Sequence, residues 1–198
     1  KQGTQVSRAV GKSVSLQQIN GASREEFVSA LRPLFNNETW PLELAWESRP
    51  FGDVNELRAA IQVAVLTADD SRRAALIHDY PAMDELLLAD ADEAATISAD
   101  RGSLGLTDLD DVQTERITEL SAAYRERFDM PFVAYLDTND TVDRVIDAGV
   151  RRLANSPEQE NRTVLGEIVE IANDRFDILL ADANPVRSSW DRKFTEVD

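Results

Sequence analysis

Apolar residues recur every three or four positions along most of this chain, and polar capping residues punctuate them, which predicts helices throughout. Ser23-Arg24-Glu25-Glu26 is a capping box, in which serine and glutamate satisfy each other's end N–H groups. Phe27, Leu31, Leu34 and Phe35 follow at helical spacing. A short helical turn over Trp40–Trp46 is broken at Arg49-Pro50-Phe51-Gly52. Asp53-Val54-Asn55-Glu56 caps a second helix whose apolar face carries Leu57, Ile61, Ala64 and Val65. A third runs from Ser71 to Asp79, where Pro81 biases the residue before it to extended geometry. Residues 82–101 read as helix, with Asp90–Glu93 as a candidate loop and Leu104–Leu109 as a turn.

A long helix is predicted over Val112–Phe128, ended by Pro131. Pro131–Asp137 is the only strand-like run, and one short run cannot make a sheet, so it reads as an extended connector. Thr141–Leu153 is helical. Ser156-Pro157-Glu158-Gln159 then caps the last long helix, with proline at the first position where its missing N–H costs nothing, and that helix continues to about Asp182. The expectation is an all-α, single-domain, multi-helix bundle over residues 21–182. Residues 1–20 read as a loosely ordered lead-in and 183–198 as a tail, whose Trp190 and Phe194 can dock on the body or on a partner chain.

Composition removes several chemistries. With no cysteine and a single histidine, His78, disulfides, thiolate sites and paired-histidine zinc sites are excluded. The acidic clusters Asp69-Asp70, Asp90–Glu93 and Asp108–Asp111 lack the alternating carboxylates, glycine turn and distal glutamate of an EF-hand, and read as solvated faces. No metal is expected. A net charge of −16 repels phosphate backbones, so neither nucleic acid nor an anionic membrane is an expected partner. The basic residues are almost all arginine, which fits either a GC-rich genome or adaptation to high salt. No run is long enough for a membrane span and no secretory leader is visible, so a cytoplasmic location is expected; the chain opens on Lys1, which leaves a removed targeting segment open.

One charge stands out against the helical pattern. On a wheel, Arg175 lies within the apolar stripe of Val164, Ile168, Ile171, Ala172 and Leu179. An arginine there must meet an anion, either a ligand carboxylate or an internal carboxylate such as Asp100. His78 beside Asp79 reads as a surface residue, and Trp40 and Trp46 as packing.

Ser23–Phe27 with Leu31, Arg49-Pro50-Phe51, Leu120–Tyr124, Phe128–Val133 and the run from Arg152-Leu153 to Arg175 stand in order along the chain, and together they resemble the 2-oxo-4-hydroxy-4-carboxy-5-ureidoimidazoline (OHCU) decarboxylase family. Ser23–Phe27 with Leu31 resembles its opening helix, and Arg49-Pro50-Phe51 its Arg-Pro-Phe turn. Leu120–Tyr124 and Phe128–Val133 resemble its Leu-Asn-x-x-Tyr and Phe-Gly-x-Pro-Phe segments. Arg152-Leu153, Asn155 and Glu160, leading to Glu167-Ile168, Ile171-Ala172 and Arg175, resemble its last helix. The resemblance covers roughly residues 20–182.

It implies an all-α, usually dimeric enzyme without metal or organic cofactor, acting on a small anionic substrate late in urate breakdown to yield (S)-allantoin. It also implies a site. Where the family has His-Pro-Asp-Leu, this chain has Tyr80-Pro81-Ala82-Met83; where the family has Ser-x-x-Glu-Gln, it has Ile97, Asp100 and Arg101. By resemblance, Tyr80 and Asp100 are the catalytic positions, while Pro81, Arg101, Phe132, Val133 and Arg175 bind substrate. Tyrosine, with an ordinary pKa of about 10, can donate a proton at neutral pH but not readily accept one. Arg101 adds a cation that favours a more anionic ligand, and Phe132 and Val133 have backbone N–H groups available to face one. Two other readings stay open: a repurposed enzyme with different small-molecule chemistry in a biosynthetic pathway, and a non-catalytic ligand-binding relative.

Overall fold

The computed structural model describes residues 13–88, 109–135 and 141–180. Every regular element among them is helical, apart from one isolated parallel bridge between Val14 and Leu180. The first helix, α1 (Leu16–Gly21), falls inside the segment read as a lead-in. Its start is a capping box of Ser15 and Gln18, and it holds down one core side chain, Ile19. Six residues with one buried apolar position give no period to read, which is why the pattern missed it.

Helix α2 (Arg24–Leu31) opens on the predicted Ser23–Glu26 box and buries Phe27 and Leu31. A 3₁₀ turn, Arg32–Leu34, carries the chain past Pro33 and buries Leu34. Helix α3 (Trp40–Trp46) and helix α4 (Val54–Thr67) follow, and α4 buries the four residues its period predicts. The Arg-Pro-Phe turn between them is a clasp. Arg49 donates from Nε to the Trp46 carbonyl at 3.1 Å and from Nη1 to the carbonyls of Asn20 and Ala22. Asn20 in turn holds both the N–H and the carbonyl of Phe51, at 2.8 and 2.9 Å. Its role is to join the α1–α2 and α3–α4 connections.

Helix α5 (Asp70–His78) starts slightly earlier than predicted because Asp69, not a later residue, caps it. Helix α6 (Met83–Leu88) is the described part of the helix expected over 82–101; the rest of that stretch lies outside the described residues. Helix α7 (Asp111–Phe128) ends before Pro131, as expected, on Asp129 at φ 53°. This left-handed position favours glycine, the residue found there in the family pattern. Residues 131–135 then form no helix or strand. The described part of the predicted connector is therefore a connector.

Helix α8 (Val142–Arg152) packs on α7 at Gly149, where an added Cβ would lie 2.5 Å from a Leu120 methyl and 2.7 Å from the Phe132 ring. Helix α9 (Pro157–Leu179) opens on the predicted Ser156–Gln159 box and ends slightly before the predicted Asp182. It runs against the 3₁₀ turn, α4 and α5, and buries Val164, Leu165, Ile168, Ala172 and Phe176. Among the described residues no helix is long and apolar enough to cross a membrane. The core is thus organised by α9, with the connector 131–135 and the 3₁₀ turn against it.

Candidate active site

Tyr80 follows the last turn of α5, with its N–H on the Ile77 carbonyl at 3.2 Å. Its side chain is 5% exposed and its hydroxyl is buried, so it is not a packed ring with a surface hydroxyl. Pro81 beside it is half-buried. The next N–H groups turn inward: Ala82 caps α6 against Glu85 at 3.2 Å, and Met83 donates to the Phe132 carbonyl at 3.1 Å. That last bond joins the Tyr80–Pro81 turn directly to the connector carrying Phe132 and Val133. Both connector residues are buried. Among the described residues no acceptor meets their amide N–H groups.

Arg175 is half-buried on α9. Its Nη1 lies 3.4 Å from both the Leu34 carbonyl and the Asn36 Oδ1. Asn36 also reaches the Asp79 carbonyl, at 3.5 Å, one residue before Tyr80. The loop holding Asn36 is fixed by the Asp79 carboxylate, which accepts from the Asn37 N–H and side-chain amide at 2.7 Å each and from the Glu38 N–H at 3.3 Å. Arg175 and the Tyr80 turn are thus linked through one side chain. Tyr80 and Pro81 are thus linked to the Phe132–Val133 connector through Met83 and to Arg175 through Asn36. Asp100 and Arg101 lie outside the described residues. His78 is exposed, and Trp40 and Trp46 pack half-buried against the core, as expected.

Sequence reasoning assigned no role to a second cluster on the far side of the connector. Glu160, fully buried in the first turns of α9, accepts from Arg152 Nε at 2.6 Å, from Asn155 Nδ2 at 2.7 Å and from the Tyr124 hydroxyl. Burial, then the hydrogen bond to Glu160, pushes the Tyr124 phenol far above its ordinary value, so it stays protonated as a donor. Arg152 also reaches out of the cluster: Nη1 donates to the Val133 carbonyl at 2.9 Å, and the guanidinium lies 5.0 Å from the Phe132 ring centroid. A signal for Glu160 was present. It precedes Val164 and Ile168 by one and two turns, on the stripe that drew attention to Arg175.

Further along, Glu167 accepts from the Tyr135 N–H at 2.8 Å, and burial raises its carboxyl above the ordinary 4.5. Beneath the cluster Ser121, where the family pattern has asparagine, is fully buried with no partner for its hydroxyl among the described residues. Among those residues no group of carboxylates and histidine is placed to hold a metal ion.

The sequence profile of the OHCU decarboxylase family matches residues 20–177. A 2-oxo-4-hydroxy-4-carboxy-5-ureidoimidazoline decarboxylase of Haloferax volcanii is 37% identical over 165 residues, covering 82% of this chain and 94% of that protein. One from Mus musculus is 32% identical over 181 residues, covering 88% of this chain and 98% of that protein. A uric acid degradation bifunctional protein of a Bacillus species is 27% identical over 159 residues, which is 79% of this chain and 30% of that longer protein. Among solved structures, a crystal structure of (S)-allantoin synthase superposes with a TM-score of 0.65 at 21% identity, over 84% of this chain and 54% of that one, a likeness of fold. With the family profile spanning most of the chain and relatives above 30% identity along nearly their whole length, this protein belongs to the OHCU decarboxylase family.

Proposed function

We propose that this protein decarboxylates OHCU, or a close ureido-imidazoline, in urate breakdown, as a cytoplasmic homodimer that uses no metal or organic cofactor. The observation that supports this reading is that the Tyr80–Pro81 turn is linked to the Phe132–Val133 connector through Met83 and to Arg175 through Asn36, in a chain of this family. The reaction asks little of a protein. The bond from the ring carbon to its carboxylate breaks, carbon dioxide leaves, and the electron pair drains into the adjacent C=N unit. The carbon of that C=N unit, which bears the ureido group, then takes a proton on one face, while the carbon that lost carbon dioxide gives up its hydroxyl proton and becomes a carbonyl. Arg175 holds the substrate's carboxylate or a ring oxygen, and the amides of the connector orient the ring. Tyr80, a proton donor at neutral pH, stands beside Pro81 in the histidine position and supplies the proton or a hydrogen bond. Asp100 orients the substrate, and Arg101 adds positive charge for it.

Freshly generated OHCU, mixed with the protein, should lose carbon dioxide faster than in buffer and give one enantiomer of allantoin in excess, followed by circular dichroism. Racemic product at the uncatalysed rate would overturn the proposal. Tyrosine in the histidine position favours a second possibility, chemistry shifted to a related ligand. Tyr80→His combined with Asp100→Glu should therefore raise the rate on OHCU. A folded double variant with no gain would favour the shifted substrate.

A further inference from the structure

We infer that Arg152 is a positioning residue for the substrate site, acting through the connector 131–135 and resting on the reading of that site given above. The buried cluster it belongs to is satisfied in itself. Glu160 receives three donors, and Tyr124 and Asn155 are spent on it. A pair whose only task was to neutralise buried charge would end there. Arg152 instead spends a further N–H on the Val133 carbonyl at 2.9 Å and lies 5.0 Å from the Phe132 ring centroid. The two residues it grips are the connector positions that face the site.

Peptide geometry turns this grip into an orientation. In a planar trans peptide the N–H points away from the preceding carbonyl. The only cis bond among the described residues is Arg49–Pro50. With the Val133 carbonyl pulled to Arg152, the Ala134 N–H is turned away from it. With the Phe132 carbonyl held by Met83 at 3.1 Å, the Val133 N–H is turned away from α6. Among the described residues neither amide has an acceptor, so two consecutive donors are fixed in direction and left to a ligand. Glu167, holding the Tyr135 N–H at 2.8 Å, fixes the far end. Arg152, Met83 and Glu167 thus strap three successive peptide groups. Only Arg152 reaches the strap from a buried anchor, because Glu160 fixes its guanidinium.

Arginine is needed here for its fork. A lysine can pair with Glu160, but one ammonium on a flexible stem cannot also present a second, fixed donor to the Val133 carbonyl. Arg152→Lys therefore separates positioning from charge neutralisation, and Tyr124→Phe is its counterpart, weakening the cluster while leaving the Arg152–Val133 bond in place. The test compares wild type, Arg152→Lys and Tyr124→Phe, each at matched concentration of folded protein. OHCU turnover is measured together with the amide resonances of Val133 and Ala134. Arg152→Lys should lower kcat/KM about tenfold or more, the scale expected of a sub-ångström misplacement of binding groups, and should move both resonances. Tyr124→Phe should leave both readouts near wild type despite a lower melting temperature. Turnover falling in both variants in step with stability, or wild-type kinetics in Arg152→Lys, would overturn the inference. Should the wild type not turn over OHCU, the substrate assignment fails by itself. The amide resonances then decide: a shift confined to Arg152→Lys upholds the positioning role, and unmoved resonances overturn it.

Discussion

Two arginines enter the interior, Arg152 beside the connector and Arg175 beside the 3₁₀ turn, and they meet different surroundings. Arg152, at the end of α8, is 2.6 Å from the fully buried carboxylate of Glu160, with Asn155 and Tyr124 completing that carboxylate's shell. Arg175, on α9, donates from Nη1 to a backbone carbonyl and a side-chain amide oxygen, each at 3.4 Å. The first arrangement pairs its charge with a buried carboxylate, whereas the second holds its guanidinium through a carbonyl and an amide oxygen at 3.4 Å. A buried arginine is thus not one kind of signal. Arg152 is bound to a buried carboxylate and to the connector, while Arg175 is held to the 3₁₀ turn and the loop after it.

The sharpest way to break this contrast is on the Arg152 side. Glu160→Ala should cost about 3–5 kcal/mol, because it strands the guanidinium and the Tyr124 hydroxyl inside the protein. Urea unfolding measures it. A loss below about 1 kcal/mol, the range of an exposed ion pair, would mean the cluster is not the anchor described.

The strap itself is tested next by Gly149→Ala, which puts a methyl 2.7 Å from the Phe132 ring and 2.5 Å from Leu120. Overpacking of this kind costs about 1–3 kcal/mol, offset in part by alanine's better helix propensity. A more stable variant would show that α8 yields easily and does not fix the connector.

A smaller effect is expected from Glu167→Gln. Burial raises the Glu167 carboxyl above its ordinary 4.5, so its ionised form at neutral pH is held at a cost that the amide avoids. The variant should melt slightly higher than wild type at neutral pH. As pH falls through the raised value toward 4.5, wild-type Glu167 takes up its proton and the advantage should shrink. A difference that does not change with pH would remove burial of the charge as its cause.

How much of this was legible in the sequence follows the same division. Caps and periodicity located most of the helices because those signals are local. Ser23–Glu26, Asp53 and Ser156–Gln159 all cap as written, and α4 buries the four residues on its predicted face. Helix α1 escaped because one buried Ile19 makes no period. At the site, Arg175 was visible because a cation interrupts an apolar stripe, and Tyr80, Phe132 and Val133 because ordered motifs place them. Glu160 carried the same wheel signal as Arg175 and drew no role. Arg152 gave no wheel signal of its own, since it lies at a helix end and its partners come from α7, the connector and α9. Its function rests on contacts between residues distant in sequence, which no local pattern encodes. Asn36, which links Arg175 to the Tyr80 turn across 139 positions on one side, was invisible for the same reason.

The central claim of the proposed function is that Arg175 binds the substrate's anion, while Arg152 positions the connector from a buried anchor. The measurement that reaches it most directly is turnover of freshly generated OHCU by wild type and Arg175→Ala, with the melting temperature of each ligand-free protein recorded alongside. The account predicts that Arg175→Ala melts close to wild type and that its OHCU turnover is abolished. A ligand-free variant destabilised by about 3–5 kcal/mol, as for a stranded internal carboxylate such as Asp100, or one that turns over OHCU at the wild-type rate, would contradict it.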